Sequence, residues 1–346
     1  MLKNIYNFFK TLVEIILWRE LYDIFKGSKH NETDNASNLF KLFCSIGFYS
    51  VLILYYPIHL VFSGEWELNQ KFSLGEVSGF GLIEIRFYAL TMLLGMIFGY
   101  HLSLKLAKIR GIADTVVDRL FVGLVVFGLL GARAFYILFN LDDFSDNWLS
   151  VFEIYKGGLA VFGMIFAGVA YSVWYCWRYK FNFWLFSDFI VPGVLLGQIL
   201  GRFGNFFNYE SYGYPTKAWW AMHIPDSANL EFLTSRTFHP TFLYEIIPNF
   251  ILLLIILKNY RNLTQKHAGL VLASYMIGYG FIRSLIEPLR VDPLLIQLND
   301  FAISGELNIR VSLVSAILLA MGGIYIWIHR SKIYVKYQTI TEIKFK

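Results

Sequence analysis

The sequence predicts an all-α polytopic membrane protein, with about eight transmembrane helices and a small outer-face cap. Of its 346 residues, 56% are hydrophobic and only 16% are charged, against about 25% charged in a soluble domain. Eight segments are apolar over the roughly 20 residues that a span needs. The loops between them alternate in charge, a pattern that one missing span would scramble. The 18% aromatic share suits interfacial belts of Trp and Tyr together with lipid-facing Phe.

In chain order, residues 1–39 come first, where Lys3, Lys10, Glu14, Arg19, Glu20 and Asp23 interrupt the apolar pattern. That interruption excludes a signal-peptide core and predicts an amphipathic helix on a membrane face. The spans follow at about 40–62, 86–106, 116–139, 157–177, 184–202, 240–258, 268–287 and 309–328. On one side the loops carry Lys105, Lys108 and Arg110, then Arg178 and Lys180, then Lys258, Arg261 and Lys266, and the tail carries Arg330 to Lys346. The other side carries Glu65, Glu67 and Glu76, then Asp142, Asp143 and Asp146, then the long segment 203–239. The positive-inside rule therefore puts both termini in the cytoplasm. Segment 203–239, with Trp219, Trp220, Pro215 and Pro225, reads as a folded outer cap. Three units result: residues 1–70, an amphipathic segment and extra span; 71–330, the membrane core with its cap; and 331–346, a basic cytoplasmic tail.

The net charge of +5 is spread over several loops, so it forms no patch for nucleic acid. Cys44 and Cys176 both lie in apolar segments and read as small buried hydrophobes. With no ligand cluster, neither a metal nor an organic cofactor is expected.

Charged and amide groups inside or at the mouth of spans are functional candidates, because their transfer cost needs a partner or ligand to offset it. The first set is Gly201-Arg202-Phe203-Gly204-Asn205-Phe206-Phe207-Asn208-Tyr209-Glu210-Ser211-Tyr212-Gly213. Arg202 and Asn205 share a face if the helix continues, and an arginine flanked by amides can grip a phosphate. The alternative is an interfacial arginine snorkelling beside a turn. The second set, Arg283, Glu287 and Arg290, has i, i+4, i+7 spacing and shares one face. It reads either as an anion site, in which Glu287 holds one arginine, or as a helix-end ladder of ion pairs. The third, His239-Pro240-Thr241-Phe242-Leu243-Tyr244-Glu245, reads as a helix start with Glu245 paired locally, or as part of a site. Arg86 and Tyr88 open the second span as interfacial anchors or head-group contacts.

Together these residues resemble the prolipoprotein diacylglyceryl transferase family. Its signature G-R-x-G-N-F-x-N-x-E-x-x-G is met at every fixed position by Gly201 to Gly213. The similarity extends in order through Phe72-Ser73-Leu74-Gly75, Arg86, Tyr88, Gly131, Arg133, Asp188, Pro192, Gly197, Gln198, His239-Pro240, Leu243-Tyr244-Glu245 and Arg283/Glu287/Arg290, over roughly 72–328. The resemblance implies an enzyme of the bacterial cytoplasmic (inner) membrane, with its site toward the outer face. Such an enzyme transfers the sn-1,2-diacylglyceryl group of phosphatidylglycerol to the lipobox cysteine thiol of a preprolipoprotein signal peptide, the first step of lipoprotein maturation. Its partners would be that lipid, that peptide and the bilayer. By residue, it implies Arg202 and Arg283 on the phosphate with Arg290 beside them, and Asn205 and Asn208 on the head group or on Arg202. Glu210 and Glu287 would orient arginines, Gly213 would allow close approach of the cap, and Tyr88 would sit near the head group.

Two positions depart from the family. Where many members read G-G-x-x-x-H-G-G, this chain has Gly157-Gly158-Leu159-Ala160-Val161-Phe162-Gly163-Met164, and Phe162 takes no proton. Thiol activation then falls to the cationic field of Arg202 and Arg283, or to His239 or Tyr88, or the chain is a degenerate lipid-binding member. Near the start of the last span the family tends to place a Gly-Gln pair, and this chain has Asn308-Ile309-Arg310-Val311-Ser312. A transporter is the remaining reading. Against it, the charges gather at span ends and no paired repeats occur.

Overall fold

The computed structural model describes residues 71–77, 81–144, 148–153, 157–225, 235–291, 295–297 and 308–329. The amphipathic segment, the first span and the basic tail expected from sequence lie outside these residues. Within them, seven helices occupy the seven remaining spans: α1 (Phe87–Lys108), α2 (Asp114–Phe139), α3 (Val161–Arg178), α4 (Phe183–Asn208), α5 (Thr241–Lys266), α6 (Leu270–Ile286) and α7 (Val311–Ile328). All but α3 are long and apolar enough to cross a membrane. Helix α3 has 18 residues, about 27 Å at 1.5 Å per residue, and packs along α2. The protein is a multi-pass membrane protein.

Helix α4 is the axis of the bundle. It packs along α1 on one side and against α5 and α6 on the other, while α7 packs on α6. The α1–α4 contact is backbone to backbone: a Cβ on Gly99 would lie 2.7 Å from the carbonyl oxygen of Gly193. Small residues at such crossings let helices approach where lipid supplies no hydrophobic drive. Outward faces stay apolar, as with Met92, Leu93, Ile97 and Phe98 on α1 and Leu318, Met321 and Ile328 on α7. A side chain facing hydrocarbon gains nothing by turning inward, so exposure here marks the lipid face.

Three two-stranded antiparallel pairs were not foreseen: β1 (Lys71–Val77) with β2 (Gly81–Arg86), β3 (Met222–His223) with β4 (Thr237–Phe238), and β5 (Leu295–Gln297) with β6 (Asn308–Arg310). Each lies in a connection at the same end of the bundle as the polar motifs. The last two pairs are too short for a period-2 pattern to stand out, and in the first a register shift between Ser73 and Glu76 breaks the alternation. The fifth predicted span also ends later than expected, because α4 runs on to Asn208. Residues 203–208, assigned from sequence to the cap, are its last turns.

At the opposite end, Asp188 is fully buried and accepts hydrogen bonds from Gly269 N (2.8 Å), Val271 N (3.1 Å) and Leu272 N (3.3 Å). It satisfies the orphan donors of the α6 N-terminus from a neighbouring helix. Replacing Asp188 by Ala should lower unfolding free energy in micelles by about 2 kcal/mol. Asp188→Asn, which keeps one acceptor oxygen, should lose about half as much in the same denaturation experiment.

Candidate active site

The site is assembled from the C-terminal end of α4, the start of α5 and the end of α6. Because α4 remains helical past Arg202, Arg202 and Asn205 do share a face, and Arg202 Nη1 donates to Asn205 Oδ1 at 3.2 Å. The other terminal nitrogen, Nη2, meets Glu245 Oε2 at 2.6 Å. Glu245, one turn into α5 and 1% exposed, also pairs with Arg283 Nη1 through Oε1. Arg283 Nη2 reaches Glu287 Oε2 at 2.5 Å, the i, i+4 pair expected from sequence. Arg290 Nη1 stands 3.6 Å from Glu245 Oε1. One carboxylate thus gathers three guanidinium groups, delivered by the end of α4, the end of α6 and the turn that follows α6.

The turn after α4 locks this cluster to the cap. Tyr209 and Ser211, neither of them glycine, adopt left-handed φ values of 53° and 56°, a costly conformation kept only where surroundings impose it. The reversal aims Ser211 at two partners. Its Oγ accepts from Arg290 Nη2 at 2.9 Å, and its carbonyl accepts from the Thr241 hydroxyl. Two residues on, Gly213 N donates to His239 O at 2.8 Å, and Tyr214 N to Leu289 O at 3.1 Å. A Cβ on Gly213 would meet Leu289 O at 2.6 Å and Thr241 Cγ2 at 2.8 Å, so only glycine fits.

The remaining candidates divide. Glu210, exposed at the rim, accepts from Asn208 at 3.2 Å and from Asn205 at 3.5 Å, so it reaches Arg202 through Asn205 and not directly. Tyr88 at the start of α1 packs over Gly204, where a Cβ would lie 2.5 Å from its ring. His239 Nδ1 lies 3.0 Å from Tyr244 Oη, which also accepts from Trp220 Nε1 at 2.6 Å. Arg133 stands apart and clamps the loop ahead of α3. Its guanidinium donates to the carbonyls of Ser150 (2.6 Å), Val151 (2.8 Å), Gly157 (2.9 Å) and Gly158 (3.1 Å). Phe162, a turn further on, faces Phe166 with ring centroids 6.5 Å apart.

Sequence reasoning missed the rank of Glu245, which it treated as a locally paired acid near a helix start. The available signal was a carboxylate one turn inside an apolar span, far from any basic residue of its own helix end. Among the described groups of the cluster, three guanidinium groups and two buried carboxylates carry one net positive charge. That surplus suits a singly charged phosphodiester, and the buried carboxylates hold the donors in place.

Residues 77–329 match the family model described as prolipoprotein diacylglyceryl transferase. A phosphatidylglycerol–prolipoprotein diacylglyceryl transferase from Parasynechococcus marenigrum (strain WH8102) is 35% identical over 254 residues, 72% of this chain and 91% of the relative. One of the same description from Prochlorococcus marinus (strain MIT 9215) is 36% identical over 263 residues, covering 70% and 88%. Another, from Finegoldia magna (strain ATCC 29328 / DSM 20472 / WAL 2508), is 35% identical over 254 residues, covering 73% and 94%.

Removing Glu245 would strand buried arginines. Glu245→Ala should therefore cost about 3–5 kcal/mol of stability, read by thermal or denaturant unfolding in micelles. Glu210→Ala, at the exposed rim, should cost less than about 1 kcal/mol in the same measurement.

Proposed function

The chain belongs to the prolipoprotein diacylglyceryl transferase family, and on that premise we propose that it moves the sn-1,2-diacylglyceryl group of phosphatidylglycerol onto the lipobox cysteine of a preprolipoprotein. The observation that carries this reading furthest is the preorganised arginine cluster around Glu245. Cysteine sulfur attacks the glycerol carbon that bears the phosphate ester. A carbon–sulfur bond forms, the carbon–oxygen bond breaks, and its electron pair stays with the phosphate, which departs as glycerol 1-phosphate. Arg202 and Arg283 hold the phosphate as charge builds on it, with Arg290 beside them. Glu287 holds Arg283, and Asn205 holds Arg202.

Asn208 and Glu210 sit where the free glycerol of the head group would lie, offering a donor and an acceptor to its hydroxyls. Tyr88 borders the head group from α1. His239 shapes the mouth through Tyr244 and the cap residue Trp220. The lipid reaches this end of the bundle laterally, from the bilayer, and the peptide arrives with its signal helix in the same bilayer. The loop charges support a site at the outer face of a bacterial cytoplasmic membrane, with both termini inside. The core then spans about 71–330, and residues 1–70 add an anchor.

Phe162 gives the rival reading, a lipid-binding protein without catalysis, its one specific support. Incubating the purified chain with phosphatidylglycerol and a lipobox peptide separates the two: transfer adds the mass of one diacylglyceryl group to the peptide, whereas a binding protein leaves the peptide mass unchanged. In that assay Arg202→Ala and Arg283→Ala, as folded protein, should each slow transfer by about 10²–10³-fold. Near-native rates in either variant would remove that residue from the phosphate.

A further inference from the structure

Arg310 ends β6 and immediately precedes α7. Its backbone is fixed by pairing with Leu295, and its Nη1 donates to the carbonyl oxygen of Glu287 at 2.7 Å. Glu287 is the residue whose carboxylate holds Arg283. A fourth guanidinium group is therefore bonded to the backbone of a cluster residue, brought by the strand that leads into α7. Nη1 makes the one hydrogen bond found for this side chain among those residues. The side chain is partly exposed, so its remaining N–H groups can face a ligand.

The charge balance says what that ligand is. Among the described groups of the cluster, Arg202, Arg283 and Arg290 against Glu245 and Glu287 carry one net positive charge, enough for the phosphodiester of the lipid. The reaction needs two. Attacking thiolate and phosphodiester together carry two negative charges, and so does the leaving phosphate monoester above its second pKa near 6. Both buried carboxylates are engaged by arginines. The cap histidine, His239, is tied to Tyr244. Glu210 lies at the exposed rim on its two asparagines.

Resting on the transferase reading, we propose that Arg310 is a further site cation that takes up the second negative charge of the reaction, favouring the cysteine thiolate before attack and glycerol 1-phosphate after it. The thiol proton passes to water, the carbon–sulfur bond forms, and the carbon–oxygen pair stays on the doubly charged phosphate. The competing account is structural: an arginine that only caps the last carbonyls of α6.

The experiment measures transfer by the full chain in phosphatidylglycerol-containing nanodiscs, from pH 6 to 9.5, for the wild type, R310Q and R310K. Loss of one helping charge should move the rising limb of the R310Q profile up by about one pH unit, a tenfold loss at pH 7 that shrinks at alkaline pH. R310K should keep the limb near its wild-type position. Added glycerol 1-phosphate should inhibit R310Q about tenfold more weakly, while the KM for phosphatidylglycerol moves less than about threefold. A loss by the same factor at every pH, or none, would reduce Arg310 to a cap and overturn the inference. If R310Q fails to fold, the wild type still decides. Its inhibition by glycerol 1-phosphate should strengthen as that ligand takes its second charge near pH 6, and a flat dependence overturns the proposal. No transfer by the wild type at any pH would sink the transferase reading itself.

Discussion

Glu245 lies between guanidinium groups from α4 and α6 while itself belonging to α5, at a depth where 1% of its side chain meets solvent. An isolated carboxylate there would be driven to neutralise, and isolated arginines would snorkel outward. Together they form a compact ionic core that ties three helix ends at one point. That constraint explains why α4 stays helical through Asn208, why the chain then accepts two left-handed residues, and why the cap strand returns through Gly213. Each step brings a partner to the same set of charges.

The membrane makes this arrangement both costly and useful. In water, three arginines and two carboxylates would be loosely paired and screened. At the end of a bundle with apolar outer faces, the charges interact in a low dielectric, and their geometry is fixed by helix packing. Helix–helix contact through Gly99 and Gly193 sets the α1–α4 distance, and so places Tyr88 against Gly204 beside Arg202. Asp188 does the equivalent at the far end by capping α6, the helix that supplies Arg283. Packing residues far from the charges thus decide where the charges meet.

Much of this was legible in the sequence, for identifiable reasons. Span positions follow from runs of apolar residues that water would not tolerate. The sharing of a face by Arg202 with Asn205, and by Arg283 with Glu287, follows from helical spacing alone. The hub was not legible, because Glu245 joins residues 38 and 43 positions away, and spacing carries no information about neighbours on other helices. The same limit hid Arg310, which the sequence shows only as an unusual residue before the last span. It also hid the role of Arg133, whose partners are backbone carbonyls that any residues would supply. The β3–β4 and β5–β6 pairs escaped because two or three residues cannot express a period, and in the longer β1–β2 pair a register shift between Ser73 and Glu76 interrupts the alternation.

The account rests on the arginine cluster receiving the lipid phosphate, and the direct measurement is the position of that phosphate in a structure of the protein with phosphatidylglycerol bound. The phosphate should lie within hydrogen-bonding distance of both Arg202 and Arg283, with Glu245 still holding the two guanidinium groups together. A phosphate seated elsewhere, with Arg202 and Arg283 making no hydrogen bond to it, would contradict it.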